Sequence, residues 1–250
     1  MLRQQCKALL LFICLGSQVC ATELKIVFSQ YTPPYVLEDG SGILVDIVRT
    51  ALAEEGYQVT PVYVPIERGF RMFADRQVDG TTIIQERSGL QADYSDDFMQ
   101  YHNRAFVLKS SQQVIHSVAD LGGKSVVAFQ YANRYLGEAF SRAVAGNPRY
   151  KELAQQQSQV YMLLLGRADV AVMDESIFRY YRQKLIAEHK VEPGQEVIGY
   201  DIFPPTRAKA AFINPAVRDS FDKAIARMRK DGRFEAIYRK YIDRYFPVEP

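Results

Sequence analysis

The sequence predicts an α/β fold with mostly parallel sheets. Short apolar segments rich in β-branched residues alternate with segments whose apolar residues recur at the helical period. A helix–turn–strand pattern also occurs twice, at residues 66–87 and 160–174. Strands that alternate with helices are typical of βαβ units, in which parallel strands form a sheet and helices cover it.

The first predicted elements alternate regularly. Residues 24–28 and 58–64 are predicted strands, and the loop at 30–42 between them is rich in Pro and Gly. The helix that follows this loop is predicted from apolar residues at i, i+3, i+4, i+7 and i+8: Leu44, Ile47, Val48, Ala51 and Leu52. Gly56 ends it, because glycine accepts the left-handed conformation that is common after a helix.

The second half of the chain continues the alternation. Strands are predicted at 104–108, before residue 129, near Val197 and at 210–213, and helices at 133–144, 175–188 and 234–241. Asn214 and Pro215 suit the N-cap and first position of a further helix, which Gly232 ends.

The repeated pattern suggests a binding site. Each copy runs from an amphipathic helix through an Arg-containing turn and an Asp to a short apolar strand. We expect Asp79 and Asp169 to shape turns. The first copy ends at Arg87 and the second at Asp174. Because ligands of α/β units collect at the carboxyl ends of strands, copies in separate lobes would offer a cation and an anion to one small zwitterion.

Each of these two residues also has an ordinary alternative role. Arg87 could be a surface residue paired with Glu86 or Asp93. Asp174 could cap the helix that begins at Glu175, and this role is compatible with ligand contact.

The first 21 residues have the features of an export signal. Arg3 and Lys7 accompany an apolar run at 8–15 that is too short to span a bilayer, and small residues precede a predicted cleavage after Ala21. All three cysteines precede this cleavage, so the mature chain would hold no disulfide, cysteine nucleophile or cysteine metal site. Removing Arg3 and Lys7 from the 31 basic residues leaves 29, equal to the 29 acidic residues. This balance argues against nucleic-acid or membrane-surface binding.

Several common sites are excluded by spacing. His102, His116 and His189 lack the spacing of metal ligands. The segment at 122–125 lacks a phosphate-binding loop's first glycine, because Val118 stands there. We therefore expect no metal and no cofactor.

Five short motifs occur in an order that is typical of one protein family: Pro33-Pro34-Tyr35, Gln85-Glu86-Arg87, Asp120-Leu121-Gly122-Gly123-Lys124, Gly166-Arg167-Ala168-Asp169 and Ile237-Tyr238-Arg239-Lys240-Tyr241. By these motifs the chain resembles the periplasmic solute-binding proteins of the polar amino-acid ABC transporter type, bacterial extracellular solute-binding protein family 3. The resemblance covers nearly the whole mature chain.

The resemblance implies a two-lobed periplasmic-binding-protein-like fold of type II. Two mostly parallel sheets with helices on both faces would be joined by two hinge strands. Residues 22–109 and 205–250 would form lobe 1, and residues 110–204 would form lobe 2.

The resemblance also implies a cleft in which Arg87 holds a ligand α-carboxylate and Asp174 holds the α-amino group. Ile66 stands where the family often has an aromatic residue that stacks on the ligand. Tyr31, Tyr35 and Tyr131 are further candidates for the cleft lining, because amphipathic rings suit a partly wet site.

Two positions depart from the family pattern. Ile84 replaces a carboxylate-binding Thr, and Gln130-Tyr131-Ala132 replaces a Gly-Thr pair. The resemblance therefore defines the fold more closely than the solute.

The expected function follows from these observations. We expect a periplasmic monomer that captures a small polar solute, an amino acid or related carboxylate, and presents it to the inner-membrane permease of an ABC transporter. One alternative is an enzyme similar to the cyclohexadienyl dehydratases, with Glu67, Glu86 or Glu175 as general acid. The other is a ligand-sensing partner of a membrane receptor.

Overall fold

The structure, a computed structural model, describes residues 21–245 except for the side chain of Arg87. The predicted leader, apart from Ala21, lies outside the described residues. The strands are β1 (Thr22–Ser29), β2 (Tyr57–Val64), β3 (Gly80–Ile84), β4 (Asp93–Tyr94), β5 (Met99–Tyr101), β6 (Asn103–Leu108), β7 (Val126–Phe129), β8 (Tyr150–Leu153), β9 (Val170–Asp174), β10 (Val197–Tyr200) and β11 (Thr206–Phe212). The α-helices are α1 (Ile43–Glu54), α2 (Ile66–Ala74), α3 (Ala132–Tyr135), α4 (Glu138–Val144), α5 (Gln156–Leu164), α6 (Glu175–Ala187), α7 (Pro215–Lys230) and α8 (Arg233–Tyr245).

The strands form two mixed sheets. The first has the order β2-β1-β3-β11-β4, with β5 also paired to β11. The second has the order β10-β6-β9-β7-β8. Each sheet contains three parallel strands, β2-β1-β3 and β8-β7-β9. In the first sheet β11 runs antiparallel to β3, and in the second sheet β6 runs antiparallel to both β9 and β10. We call the part of the chain around the first sheet lobe 1 and the part around the second sheet lobe 2.

Strand alternation explains why helices cover both faces of each sheet. Ile26 and Phe28 in β1 pack into a cluster with α1, α7 and α8, whereas Val27 between them packs with Phe73 of α2. In lobe 2, Val172 of β9 packs with α4 on one face, and its neighbour Met173 packs with α5 and α6 on the other. Successive side chains of a strand point to opposite faces, so each apolar strand supplies two cores.

The chain changes sheets earlier than the predicted lobe limit at residue 109. Strand β6 already belongs to the second sheet, with Asn103 opposite Asp174 and Leu108 opposite Val197. The first crossing therefore lies between Tyr101 and Asn103, and the return lies between β10 and β11. A sequence pattern predicts a strand at 104–108, but it does not determine which sheet that strand joins.

The helix predicted at 133–144 is present but is divided in two. The structure has two short helices, α3 and α4, with Gly137 between them at φ 88°. This conformation favours glycine and ends the first helical turn. The break leaves α3 as a separate turn at the edge of the space between the lobes.

The two copies of the repeated pattern fold alike. Asp79 accepts the Lys25 N–H through Oδ2 at 2.7 Å, and Asp169 accepts the Ser125 N–H in the same way, also at 2.7 Å. As expected, both Asp residues shape the entry of their strand. Ile84 and Asp174 each follow this Asp by five residues and end β3 and β9. Asp174 therefore corresponds to Ile84, and Arg87 lies three residues further on.

No helix among residues 21–245 is both long and apolar enough to cross a membrane.

Candidate functional site

A cavity of about 100 Å³ lies between the two sheets, at the carboxyl ends of their parallel strands. Lobe 1 lines it with residues that include Ser29, Ile66 and Thr206. Lobe 2 lines it with residues that include Phe129, Gln130 and Gln156. Tyr101 and Asn103, from the first crossing, also line it. We call this space the inner cavity; its position is the one where α/β proteins usually bind ligands.

The inner cavity combines apolar surface with uncharged polar groups. Among the described side chains that line it, Asp174 alone carries a formal charge. Amide and hydroxyl groups of Gln130, Gln156 and Thr206 can each donate and accept hydrogen bonds. A pocket of this kind recognises a small solute through a few placed polar groups.

Asp174 is buried, and its carboxylate accepts four hydrogen bonds. Oδ1 accepts the N–H groups of Ser176 and Ile177 at 2.9 and 3.2 Å, so Asp174 is the N-cap of α6. The hydroxyl of Tyr35 donates to the same oxygen at 3.2 Å, and the His102 N–H donates to Oδ2 at 2.9 Å. The carboxylate therefore joins a lobe 1 side chain, the first crossing and a lobe 2 helix.

Burial raises the pKa of Asp174 from 3.8 to about 6, although the four donated hydrogen bonds lower it. Desolvation is the larger effect because it disfavours the charged form of a carboxyl group. The protonation of this group therefore changes in the mildly acidic range.

Tyr35 lies behind Asp174 and does not line the inner cavity. Its ring is buried and contacts the ring of Tyr101 at a centroid distance of 4.7 Å, and its hydroxyl accepts a hydrogen bond from Tyr238 at 3.4 Å. Burial raises the pKa of Tyr35, and the charge of Asp174 raises it further. Tyr35 positions Asp174 in this structure.

The other two predicted tyrosines lie at different distances from the inner cavity. Tyr31 is 56% exposed and lines a separate small pocket with Tyr181. Tyr131 lies at the mouth of the space between the lobes, in a second cavity that also includes Ile66. Ile66 lines both spaces.

Arg87 lies in a 3-10 turn at Glu86–Ser88, directly after β3. Its side chain is outside the described part of the structure, so the predicted pairing with a ligand carboxylate stays a prediction. The neighbouring Glu86 is exposed and lies 3.5 Å from the ammonium group of Lys209.

Asn103, Gln130 and Gln156 line the inner cavity, but the sequence did not predict them as ligand-binding residues. Asn103 donates a hydrogen bond from Nδ2 to Thr206 at 3.0 Å, which joins the two crossings. Gln130 follows β7, and Gln156 begins α5 shortly after β8. Their positions after strand ends were the available signal, because ligands collect at those ends.

One residue at the cavity wall has an unusual backbone. Ile83 has φ 55°, a conformation that β-branched residues rarely adopt. It lies where the pairing of β3 with β11 shifts between Lys209 and Ala211. Such bulges redirect side chains next to binding sites, and here the bulge lies at the wall of the inner cavity.

Within residues 21–245, no group of three His, Cys, Asp or Glu side chains is arranged to hold a metal ion.

Solved structures share this architecture. A histidine kinase sensor domain with similarity to periplasmic binding proteins has a TM-score of 0.73 at 17% identity, covering 89% of this chain and 97% of that chain. An ancestral arginine-binding protein bound to arginine has a TM-score of 0.71 at 21% identity, covering 89% and 99%. An ancestral amino acid-binding protein, a precursor of cyclohexadienyl dehydratase, has a TM-score of 0.67 at 21% identity, covering 88% and 95%. These likenesses confirm the two-lobed periplasmic-binding-protein-like fold.

The sequence comparisons identify the family. A comparison with curated proteins finds no match. The sequence profile of the family described as bacterial extracellular solute-binding proteins, family 3, matches residues 24–244. Because this match spans most of the chain, the protein belongs to the bacterial extracellular solute-binding proteins of family 3.

Proposed function

We propose that this protein binds a small polar solute, an amino acid or related carboxylate, in the inner cavity. The observation that supports this most directly is the shared lining, to which both sheets and both crossings contribute polar side chains. A solute that contacts Gln130 and Thr206 together favours the conformation in which the lobes are close. Binding and lobe closure are then one equilibrium.

Asp174 and Arg87 are the charged partners in this proposal. A carboxylate offers about four acceptor positions, and Oδ2 of Asp174 accepts one hydrogen bond, from His102. That oxygen can accept another from a ligand ammonium group. The guanidinium of Arg87 offers a planar pair of donors that suits a ligand carboxylate.

The cellular role that fits this site is delivery of the solute. We propose that the protein is exported by its N-terminal leader, works as a periplasmic monomer, and presents the closed form to the permease of an ABC transporter. No bond is made or broken in this role.

A thermal-shift screen of the purified exported protein tests the proposal. The panel contains amino acids, amines and dicarboxylates. A solute at about 100 times its Kd stabilises the folded state by about 2.7 kcal/mol, which corresponds to a rise of about 5–10 °C in Tm. No rise with any member of the panel would contradict the proposal.

Ligand sensing is a second candidate role, favoured by the similarity to a histidine kinase sensor domain. Both roles need the same closing cleft, so the partner distinguishes them. Copurification of the ligand-bound protein with a permease supports transport, and copurification with a receptor kinase supports sensing.

An enzymatic role has less support from the site. None of the three glutamates considered as general acids lines the inner cavity, although Glu67 lines the second cavity beside Tyr131. Glu175 forms ion pairs with Arg104 at 2.9 Å and Arg179 at 2.5 Å. Incubation with prephenate or arogenate checks this point. An aromatic product formed by the protein would replace the binding proposal with an enzymatic one.

A further inference from the structure

The inner cavity opens into a larger space at the mouth of the cleft. This space, which we call the outer chamber, has a volume of about 380 Å³ and is lined by residues that include Ile66, Glu67, Phe70, Leu90, Tyr131 and Arg134. Ile66 and Tyr135 line both spaces, so the two are contiguous. Most of the room available to a solute therefore lies outside the inner cavity.

The lobe 1 wall of the outer chamber combines three apolar residues, Ile66, Phe70 and Leu90, with the polar residues Glu67, Gln85 and Ser88. Helix α2 buries Phe73 against Val27 in the core of lobe 1 and leaves Ile66 and Phe70 half-buried along the chamber. Leu90 extends this surface beyond the turn that follows β3. Apolar side chains that stay partly exposed inside a cleft are suited to an apolar group of a ligand.

The lobe 2 wall presents an aromatic ring in a fixed position. Tyr131 adopts φ 67°, an unfavourable conformation for a residue with a side chain. Glu152 holds it there by accepting the Tyr131 N–H at 2.7 Å and the Asn133 N–H at 3.0 Å. The guanidinium of Arg134 lies over the ring, 5.2 Å from its centroid. This ring is therefore in place before any ligand arrives.

The two walls already approach each other across the chamber. The hydroxyl of Tyr131 donates a hydrogen bond to the carboxylate of Glu67 on α2. Desolvation raises the pKa of Tyr131, and this hydrogen bond raises it further. The contact joins lobe 1 to lobe 2 at the chamber rim. A flat group between Phe70 and Tyr131 would be covered on both sides when the lobes close.

We propose that the solute carries an aromatic or long apolar tail, which occupies the outer chamber while its polar head group occupies the inner cavity. This inference rests on the proposed function and specifies its solute class. Phe70 and Tyr131 are the residues that select the tail. An amino acid with a small side chain would leave the outer chamber filled with water.

Titration calorimetry with three probes tests the proposal: L-alanine, L-phenylalanine and the dipeptide Ala-Phe. The wild-type protein should bind at least one aromatic probe about tenfold or more tightly than alanine, because large buried rings dominate such contacts. Phe70→Ala and Tyr131→Gly should each bring this preference down to about twofold or less. Arg71→Ala, an exposed substitution on the same helix, should retain the full preference.

Tyr131→Gly distinguishes loss of the ring from misfolding. Tyr131→Gly removes the ring at a left-handed position that glycine adopts readily, so the backbone is relieved of strain. Its Tm should not fall while its preference for aromatic probes disappears.

The inference is overturned if wild-type protein prefers alanine, binds neither aromatic probe, or keeps its aromatic preference in both variants. If the wider thermal-shift panel still yields a bound solute, the proposed function stands and the aromatic tail alone is rejected. If the wider panel yields none, both proposals fail.

Discussion

Asp174 shows how one residue can serve the fold and the site together. Its carboxylate caps α6, binds the first crossing through His102 and accepts the hydroxyl of Tyr35 from lobe 1. Each of these bonds favours the charged form, yet burial favours the neutral form and is the stronger effect. The site therefore holds a carboxylate whose charge is destabilising, and a ligand cation would offset that cost.

The first prediction concerns stability and pH. The pKa of Asp174 is raised from 3.8 to about 6 in the folded protein. Protonated Asp174 therefore stabilises the fold fully below about pH 3.8, and this stabilisation is lost as the pH rises through about 6. The loss is about 3 kcal/mol at about 1.4 kcal/mol per pKa unit. Asp174→Asn keeps an uncharged group at all pH values. Its free energy of unfolding should therefore rise by about this amount relative to that of wild type as the pH increases from about 4 to about 7.

Urea unfolding of both proteins across this range measures the difference in free energy. Other carboxylates titrate in both chains and cancel in the comparison. A difference that stays constant within about 0.5 kcal/mol would show that Asp174 titrates with an ordinary pKa.

The second prediction concerns Arg87. Arg87→Ala should weaken binding of a carboxylate-bearing solute by about 30-fold or more, because an unpaired buried charge costs about 2–5 kcal/mol. Calorimetric titration with the solute found by the screen measures this. Arg239→Ala, on the exposed side of α8, is the matched control because it also removes one guanidinium group. Equal affinities for wild type and Arg87→Ala would remove Arg87 from the site.

At the scale of elements, close packing of α2 on the first sheet determines where Ile66 and Phe70 lie. Gly69 is buried at this contact, and a Cβ added there would lie 2.6 Å from Cγ1 of Val27. A larger residue would push α2 outward and move both cleft residues with it. Close packing of α2 against β1 therefore explains why this helix contains a glycine, which is otherwise unfavourable inside a helix.

The third prediction follows from that contact. Gly69→Ala should destabilise the protein by up to about 2 kcal/mol, because an overpacking cost of about 1–3 kcal/mol outweighs the gain of about 1 kcal/mol in helix propensity. Gly194→Ala is the matched control, since its added Cβ meets nothing within 4 Å. Chemical denaturation of both variants gives the values. If Gly69→Ala were neutral or stabilising, α2 would have room to move away from β1.

The sequence predicted the helices and strands better than it predicted which of them pack or pair together. The apolar stripe of α1 and the N-cap at Asn214 match the structure, because periodicity and capping are local properties. The break at Gly137 was missed, since a left-handed residue inside an apolar pattern leaves little trace. The sheet to which β6 belongs depends on contacts with β9 and β10, which no local pattern contains.

The same limit applies to the candidate site. Asp174 and Ile66 could be found from strand ends and the family pattern, and both line the inner cavity. Tyr31 and Tyr35 could not be placed, because their loop approaches α6 of the other lobe through tertiary contacts. Gln130 and Gln156 are ordinary residues whose importance arises from the space that they share.

At the scale of the whole molecule, contacts between the lobes extend beyond the cavity. Helix α6 of lobe 2 contacts the loop between β1 and α1 of lobe 1: the Tyr181 hydroxyl donates to the Tyr31 carbonyl at 3.4 Å, and Lys184 lies 3.7 Å from Glu38. A further contact between the lobes joins Glu67 and Tyr131 at the outer chamber. A solute between the lobes adds to contacts that already favour closure.

The fourth prediction concerns this closing contact. Glu67→Gln should lower solute affinity by about fivefold or less, because the glutamine oxygen can still accept from Tyr131 and a net hydrogen bond is worth about 1 kcal/mol. Phe70→Ala, by comparison, should lower the affinity for an aromatic solute by about tenfold. Competition binding against a common solute measures both. A larger loss in Glu67→Gln than in Phe70→Ala would mean that the rim contact, and not the chamber wall, governs binding.

Hydrogen–deuterium exchange with and without the bound solute tests most directly whether both lobes hold one ligand. We expect slower exchange in two separate groups of amides: those after β3 in lobe 1, and those after β7 and at the start of α5 in lobe 2. Slower exchange confined to one lobe, or to surfaces away from the inner cavity, would contradict it.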